Sequence, residues 1–558
     1  MAAFVSGGQT SDLSGGPATG AASPIQPMPY APGQRDPIGS AVVKRYEKAK
    51  TIWDRWRPLW QDIYDLCLPQ RRGFQITTEG RRNTLMIFDD TAVTGVQEFA
   101  SSVATTMMPP FSRWIDLRAG SSVPENLKEQ VNTQLASVTE AIFETINKSN
   151  FHTQGVEAVT EMAMSTGTLI IEDDFLEGIR CQALPLTRVV LDTGPFNEVD
   201  FWSSERKLRL GTLLVDYPTA QLPQDLFRDA QVNPDREVLV IEATWRDWSI
   251  PYLETYRWAL VWKEQATTLA AHTYQGLGSN PFISFNWNKD PFETYGRGPL
   301  INAISSIKTC NLTVQLTLEN AEMAITGMWQ YDDDGVIDVD NIQFVPNSMI
   351  AKDAASKGLE QLKAPGDFNV ANLVLSDMRE NIKRALYVGQ FAPLGKTPQS
   401  ATEVAYRQQD LAKRIGSSWG RLNKELVNRV IRRVAYLLRR RGQIRLPEID
   451  GQVVDIQAIS PLARQQNQDD VLAITGWLGQ IGQLLGPNTV PIVTDPMETA
   501  RELGRLQNVP PKLMRSPDEA AMMMKQLQAM QQAAAQQGPG SAGGSPMEQQ
   551  GGGAPPAQ

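Results

Sequence analysis

The sequence predicts an α+β fold in which long amphipathic helices flank a strand-rich body. Apolar residues recur every three or four positions over residues 401–441, which is typical of a helix. Short β-type runs separated by turns fill residues 168–285, and helical spacing returns at 299–326. A chain of 558 residues can bury a sizeable core over several domains. The helix at 401–441 would extend about 60 Å, so it must cross something larger than a small domain.

Both ends of the chain have a composition that cannot build a core. Residues 1–39 and 536–558 are rich in Gly, Ser, Ala, Pro and Gln. They contain too little apolar surface to offset the entropy of ordering, so we predict flexible tails. The sequence shows no basic and apolar leader and no run of about 18 apolar residues. We therefore expect neither secretion nor a membrane span.

The first half begins with an aromatic helix. Residues 40–68 carry three tryptophans at helical spacing, and we expect Ser40 to cap this helix and Pro58 to split or bend it. The tryptophans could form a base-stacking platform, but a helix face that packs on a core explains them better. Further helices are predicted at 90–108, 126–148 and 151–165.

The strand-rich region indicates an antiparallel sheet, because apolar and polar residues alternate along its short runs. We expect two interruptions between residues 202 and 230. The first is a helix within SSERKLRLGTLLV, and the second is the segment PTAQLPQDLFRDA. This part is therefore predicted to be mixed α/β.

The second half alternates long helices with small elements. We predict a helix from Pro299 to about residue 326, a small insert with strand character at 328–370, and a helix at 372–388. A proline-containing loop at 390–400 leads into the long helix, which Ser400 or Thr402 can cap. Its weak point is the Gly416 to Gly420 stretch. Short strands after residue 442 precede helices at 468–485 and 497–506.

Charge limits the possible partners. The net charge is −9, which argues against a protein that coats nucleic acid. Residues 401–441 nevertheless hold eleven Lys and Arg against three Asp and Glu. This basic helix can meet nucleic acid or acidic neighbours in its own chain or a second subunit, and the second reading is favoured.

No catalytic or metal-binding motif is complete. Gly395-Lys396-Thr397 imitates the end of a phosphate-binding loop, but Gln390 replaces the required glycine and Pro393 removes a backbone N–H. The DDDG turn at 332–335 lacks the first ligand and the terminal glutamate of a calcium loop. Three distant cysteines and two histidines do not suggest a zinc site or disulfides. We expect no cofactor, no metal and no enzymatic activity.

Three stretches give the sequence a family resemblance: RWRPLWQDIYDLCLPQRRGF with FDDTAVTGVQEFASSVATTMMPPFSRWIDL, YGRGPLINAISSIKTCNLTVQLTLENAE, and SATEVAYRQQ. Together with the order of helix, insert, helix, proline loop and very long helix, they resemble the head-to-tail connector (portal) family of short-tailed bacteriophages. The likeness covers about residues 40–515. It implies a portal fold with a mixed α/β wing, a two-helix stem, a small α/β clip, a long helix and a helical crown.

The resemblance also implies a division of the chain. It assigns 1–39 to a disordered N-terminal tail, 40–298 to the wing, 299–327 to a stem helix, 328–371 to the clip, 372–389 to a second stem helix, 390–400 to a channel loop, 401–441 to a long wing-crossing helix, 442–535 to the crown and 536–558 to a disordered C-terminal tail. About twelve copies would form a ring at one capsid vertex. Double-stranded DNA would pass through the ring during packaging and ejection.

The implied partners are capsid and scaffolding proteins, the packaging motor (terminase) and tail adaptor proteins. The protein would reside in the virion, and in the host cytoplasm during assembly. The expected DNA-channel contacts are three loop residues and three helix cations: Lys396, Phe391, Leu394, Lys383, Arg384 and Arg379. Ordinary exposure or pairing between subunits is the alternative for each of them. The alternative for the whole chain is a soluble DNA-binding processing factor that uses the basic helix 401–441.

Overall fold

The structure is a computed structural model of the 558-residue chain. The residues that it describes are 36–71, 73–74, 86–111, 113–115, 117–119, 123–174, 178–249, 253–326, 328–330, 360–362, 368–388, 416, 418–445, 448–449, 452–453, 456–458, 461–485, 493–507, 522–523 and 526. The chain divides into two compact units, Met1–Leu462 and Ala463–Gln558.

The first helix, α1 (Pro37–Cys67), begins earlier than the sequence predicted and is continuous. Asp36 rather than Ser40 caps it, since the Asp36 carboxylate accepts the Ile38 N–H at 2.9 Å. Pro58 lies inside the helix and does not split it. Tertiary packing on both sides of the proline outweighs its lost hydrogen bond: Trp53 and Trp60 are buried. The prediction that this aromatic face packs on a core is confirmed.

Three further helices and one short strand complete the N-terminal part. They are α2 (Thr91–Met107), β1 (Leu117–Ala119), α3 (Glu125–Lys148) and α4 (Phe151–Met164). The helices begin and end within a residue or two of the predicted positions. One apolar face of α3 is buried: Val131, Leu135, Val138, Ile142 and Ile146.

The strands after α4 form two antiparallel sheets. The predicted antiparallel pairing is confirmed, but the strands divide between two sheets rather than one. The strands are β2 (Thr166–Asp174), β3 (Gly178–Leu184), β4 (Val189–Thr193), β5 (Val199–Arg209), β6 (Glu237–Arg246), β7 (Thr255–Trp262), β8 (Thr267–Gln275) and β9 (Phe282–Asn286). One sheet has the order β3-β2-β9, and the other has the order β4-β5-β6-β7-β8. We use "body" for the described part of residues 36–298.

The helix predicted within SSERKLRLGTLLV is wrong for its first half. SSERKLR belongs to β5, and only α5 (Leu210–Asp216) is helical, followed by α6 (Gln224–Val232). The charged residues of β5 are stabilised on both sides of the strand. Glu205 accepts from Tyr46 and Lys263, and Arg206 pairs with Glu242 on β6. These contacts between distant residues override the local preference.

A helical hairpin follows the body. It consists of α7 (Pro299–Thr326), β10 (Met328–Gln330), β11 (Glu360–Leu362) and α8 (Phe368–Ala385). β10 pairs antiparallel with β11, and α7 packs along α8. The two helices therefore run antiparallel. The helix predicted from Pro299 is confirmed, and the second helix begins four residues earlier than predicted.

The described part of the long basic stretch, 418–440, is helical. It contains a π turn, Asn423–Val427, and continues as α9 (Asn428–Arg440). The predicted apolar face is buried at Trp419, Leu422, Leu426, Val430, Val434 and Leu437. The irregular turn begins three residues after Gly420, where Glu425 accepts two hydrogen bonds from Asn286. Residues 401–415 lie outside the described residues.

The C-terminal elements are short strands and two helices. They are β12 (Glu448–Ile449), β13 (Gln452–Val453), β14 (Ile456–Ala458), α10 (Pro461–Leu485) and α11 (Pro496–Leu506). β14 pairs antiparallel with β1, and this pairing brings residues after 442 back to the N-terminal part.

Candidate functional site

The base of the α7–α8 hairpin is tied to the segment that precedes α2. The Arg379 guanidinium on α8 pairs with the Asp89 carboxylate, with Nη2 at 2.6 Å and Nε at 2.8 Å. The Asp89 side chain is almost fully buried, and Cys310 of α7 lies beside the pair. A two-pronged contact between arginine and a buried carboxylate fixes both position and orientation. It makes the hairpin base rigid relative to α2.

Electrostatics support this anchor. Burial would raise the pKa of the Asp89 carboxyl, but hydrogen bonds from Thr91 and Arg379 outweigh burial and hold that pKa below its usual value. The hydrogen bond to Asp89 raises the pKa of Arg379. Burial raises the pKa of the Cys310 thiol to about 11. The carboxylate is therefore ionised at neutral pH, and the thiol is an inert core group.

A second tie comes from Asn311, the neighbour of Cys310. Its side-chain oxygen accepts the backbone N–H groups of Phe88 at 2.7 Å and Asp89 at 3.2 Å, and its amide donates to the Met86 carbonyl at 2.9 Å. The amide thus satisfies three backbone groups of a segment without regular structure. Both helices of the hairpin hold the same short segment.

Beyond this base the hairpin exposes leucines. Leu312 is 52% exposed and Leu316 is 54% exposed, one turn apart on α7. Because α7 and α8 are antiparallel and Cys310 lies level with Arg379, positions farther along α7 lie level with earlier positions of α8. The exposed apolar side chains there are Leu312, Leu316, Leu318, Leu373 and Val374. We call this set the leucine patch.

The predicted channel contacts divide into described and undescribed residues. Lys383 and Arg384 are exposed in the last turn of α8, and Arg384 pairs with Glu380 at 2.8 Å. Arg379 is engaged by Asp89, with 44% of its side chain exposed. The three loop residues, Phe391, Leu394 and Lys396, lie outside the described residues. The DNA-contact role of all six stays a prediction.

The end of α8 is a fixed departure point for the 390–400 loop. Tyr387 packs near Phe99 and Trp287, with ring centroids 6.4 and 5.4 Å away. A Cβ at Gly95 of α2 would lie 2.8 Å from the Leu386 Cδ1 methyl, so a larger residue there would displace the Leu386 side chain. The chain therefore leaves the body at a defined place after Val388.

The basic helix does not present all of its arginines to solvent. Arg433 is buried and donates to the carbonyls of Ile171 at 3.0 Å and Ser279 at 2.7 Å. Arg432 and Arg439 are exposed. Arg433, one of the eleven cations of residues 401–441, thus holds the helix to the sheet.

Among the described residues there is no cluster of metal ligands, no exposed cysteine thiol and no candidate membrane-spanning helix. No group of three or more potential metal ligands occurs among those residues. Cys67, Cys181 and Cys310 are buried free thiols. Within the same ranges no helix is both long and apolar enough to cross a bilayer.

The comparison with protein families decides the assignment. The family model described as "Bacteriophage head to tail connecting protein" matches residues 40–514. The chain belongs to this family. The match covers well over half of the sequence, and the resemblance inferred from the three quoted stretches is confirmed. No curated protein matches the chain.

Two solved structures show a distant likeness to this connector-family chain. The first is described as "Virion of native gene transfer agent (GTA) particle", with 12% identity, 74% of this chain and 96% of that chain covered, and a TM-score of 0.34. The second is "Neck of empty GTA particle computed with C6 symmetry", with 12% identity, coverage of 74% and 93%, and a TM-score of 0.33. The assignment rests on the family match.

Sequence reasoning missed the anchor of the hairpin. Asp89 and Asn311 are separated by 222 residues in sequence. Each lies in one of the stretches that carry the family resemblance, but neither stretch indicates that the two residues contact each other. A weak signal existed, because the polar Lys308, Asn311 and Gln315 positions interrupt an otherwise apolar helix pattern. Without the fold, that pattern does not reveal which of these polar residues is satisfied within the chain.

Proposed function

We propose that this connector-family protein is a portal, a ring-shaped channel at one capsid vertex through which DNA is packaged and ejected. The observation that carries the proposal is the leucine patch on the α7–α8 hairpin. The helices are held at their base by Asp89 and Asn311, yet they expose apolar side chains beyond it. Another copy of the hairpin supplies the missing apolar cover, and repetition of that contact closes a ring of about twelve subunits.

In this proposal each part of the chain has a place in the ring. The body with α9 forms the wing, α7 and α8 form the stem, and residues 328–371 form the clip. The clip meets the packaging motor (terminase) first and tail adaptor proteins later, and the wing meets capsid and scaffolding proteins. Residues 442–535 form the crown. The protein assembles in the host cytoplasm and ends in the virion.

The channel lining follows from the departure point of the loop after α8. Lys383, Arg384 and Arg379 stand near this point, and Lys396 with Phe391 and Leu394 follows in the loop. A polyanion slides through a channel best when cations are few, because each neutralised phosphate adds counterion-release free energy to binding. These residues make transient phosphate and steric contacts with DNA. The portal acts as a structural conduit without catalysis or cofactor.

Electron microscopy of the purified full-length chain tests the proposal. We expect negatively stained rings with a central hole wide enough for duplex DNA. A stable monomer as the only species across protein and salt concentrations would contradict the proposal.

A matched pair of variants separates the conduit from a free DNA-binding factor. Arg432→Ala with Arg439→Ala removes exposed cations from the basic helix and leaves the buried Arg433 intact. For a portal we expect no loss of affinity for free duplex DNA in a salt titration, since binding is weak from the start. A salt-sensitive affinity that falls in this variant supports the DNA-binding factor instead.

A further inference from the structure

Three exposed Pro-Phe turns belong neither to the buried core nor to the α7–α8 hairpin. The sequence contains four Pro-Phe dipeptides, and Phe282 of one of them is buried in β9. The other three place phenylalanine at a positive φ: 58° at Phe111, 64° at Phe196 and 71° at Phe292. Their exposed fractions are 84%, 89% and 96%.

This backbone geometry is unfavourable for phenylalanine. In the turn at 290–293 the Glu293 N–H donates to the Asp290 carbonyl at 3.3 Å, and Phe292 occupies the third position. Glycine is the usual residue there, since a Cβ at positive φ crowds the neighbouring carbonyl. An exposed aromatic ring recovers none of that cost within the chain. Strain of this kind persists where the side chain has a role outside its own fold.

Two of the three turns form one corner of the body. The Lys289 ammonium donates to the Asn197 carbonyl at 2.7 Å, which joins the turn of Phe292 to the turn of Phe196. The carboxylates of Glu198 and Asp290 are exposed in these two turns, and Glu198 lies 3.8 Å from both Lys424 and Arg429 of the basic helix. We call residues 194–198 and 289–293 the acidic Pro-Phe corner.

A second corner lies at the same end of the five-stranded sheet. The acidic corner follows β4, which is one edge of the sheet, and residue 276 follows β8, which is the other edge. The antiparallel register shows that these two positions lie at the same end of the sheet. There β5 pairs with β6 at Phe201↔Trp245, β6 with β7 at Arg246↔Tyr256, and β7 with β8 at Thr255↔Gln275. Four strand spacings put the two corners about 19 Å apart.

The second corner combines an apolar side chain with a basic one, and the Glu254 carboxylate accepts the Gly278 N–H at 3.2 Å. Leu277 is 50% exposed between two glycines with positive φ. Gly278 packs directly against the Arg432 backbone carbonyl, so a side chain at Gly278 would collide with α9. The Arg432 side chain is exposed. We call residues 276–278 with Arg432 the basic leucine corner.

We propose that the acidic Pro-Phe corner of one copy docks on the basic leucine corner of the next copy in the ring. This rests on the proposed function, which requires many copies in a ring. Phe196 and Phe292 gain an apolar partner in Leu277, and Asp290 faces Arg432 across the contact. Two different surfaces at one level on opposite edges of a sheet form a head-to-tail contact, which is the type that closes rings.

Cysteine cross-linking of the full-length chain tests the contact. The doubly substituted Phe196→Cys/Leu277→Cys chain cannot close a disulfide within one copy, because about 19 Å exceeds the reach of the bond. The native thiols are buried. Oxidised rings are expected to give a ladder of covalent multimers on a denaturing gel without reductant. Each single-cysteine variant is expected to give no multimer beyond a dimer.

Charge exchange supplies an independent test. Asp290→Arg should raise the protein concentration needed for half-maximal assembly at least about tenfold, and Asp290→Arg with Arg432→Asp should restore it. Phe111→Ser, at the third exposed turn, is the matched control and should assemble normally. Wild-type chains that never form rings contradict the proposed function. Wild-type rings with neither the ladder nor the assembly defect overturn this contact alone.

Discussion

The body and the α7–α8 hairpin use the same kind of apolar pattern with opposite outcomes. In the body, Trp60, Trp202 and Trp287 are almost fully buried by residues of their own chain. In the hairpin, Leu312 and Leu316 of the leucine patch remain half exposed although they also lie at helical spacing. Helical spacing shows that a face is apolar, but it does not say which molecule covers that face. The chain itself covers these tryptophans of the body, whereas in the proposed ring a second copy covers the leucines of the hairpin.

Buried charge shows the same contrast. Glu161 in the body is fully buried and accepts hydrogen bonds from Tyr64 and Arg71. The cations at the end of the hairpin, Lys383 and Arg384, stay in solvent. A buried charge requires partners because desolvation is expensive. The body therefore encloses satisfied charges, whereas the hairpin keeps Lys383 and the Arg384–Glu380 pair exposed to solvent.

The largest predicted effect compares one residue from each region. Trp60→Ala should lower the free energy of unfolding by about 3–5 kcal/mol, because it empties a packed aromatic cluster. Leu316→Ala should change the free energy of unfolding of the dissociated chain by less than about 0.5 kcal/mol. Urea unfolding at low protein concentration measures both. Equal effects would remove the contrast between body and hairpin.

Neighbouring arginines of the basic helix give the next effect. Arg433→Met should destabilise the chain by about 1–3 kcal/mol for each carbonyl left without a donor, those of Ile171 and Ser279. Arg432→Met should stay within about 0.5 kcal/mol in the unassembled chain, since its side chain is exposed. Thermal unfolding of both variants provides the check. A harmless Arg433 substitution would show that this arginine does not hold α9 to the sheet.

Acid should loosen the anchor of the hairpin. The pKa of Asp89 is depressed in the folded chain from an ordinary 3.8, so its contribution to stability is present above that value. The contribution is lost as the pH falls through the lower, folded-state pKa. Asp89→Asn should therefore destabilise the chain at pH 7, and the difference from wild type should shrink below about pH 4. Unfolding midpoints in urea at several pH values measure it, and a difference that stays constant would contradict the anchor.

The smallest effect concerns the start of the described basic helix. Among the described atoms none lies within 4 Å of a Cβ placed at Gly416 or Gly420, beyond the helix's own backbone. Gly420→Ala should therefore stabilise the chain by about 0.5–1 kcal/mol. The π turn at Asn423–Val427 should persist, because Glu425 and Asn286 hold it. Calorimetry measures the change in stability. A destabilised variant would contradict this prediction and show that the fold requires glycine at position 420.

Much of the fold follows from local pattern. The helix faces of α1, α3 and the described part of 401–441 were predictable because each presents a continuous apolar stripe. The strand character of SSERKLR was not predictable, since Glu205 and Arg206 are stabilised by residues such as Tyr46 and Glu242 far along the chain. The cap at Asp36 was missed for a similar reason, because its carboxylate also accepts from Thr268 N–H at 2.7 Å.

The candidate site was predictable only in outline. The family resemblance pointed to the α7–α8 hairpin and to the cations of α8. It did not reveal that Arg379 is paired with Asp89, or that Phe196 and Phe292 share a corner through Lys289. Such pairings depend on tertiary placement, which neither spacing nor composition encodes. The positive φ of these phenylalanines carries no sequence signal beyond the repeated Pro-Phe dipeptide.

Native mass spectrometry of the full-length chain beside a Leu312→Asp/Leu316→Asp variant measures whether the hairpin leucines hold the copies together. The substituted residues are exposed in the single chain, so the variant should fold with an unchanged monomer melting temperature. We expect a closed oligomer of about twelve copies for the wild type and monomers for the variant, because carboxylates replace the apolar cover between hairpins. A wild type that is monomeric, or a variant that assembles as well as the wild type, would contradict this expectation.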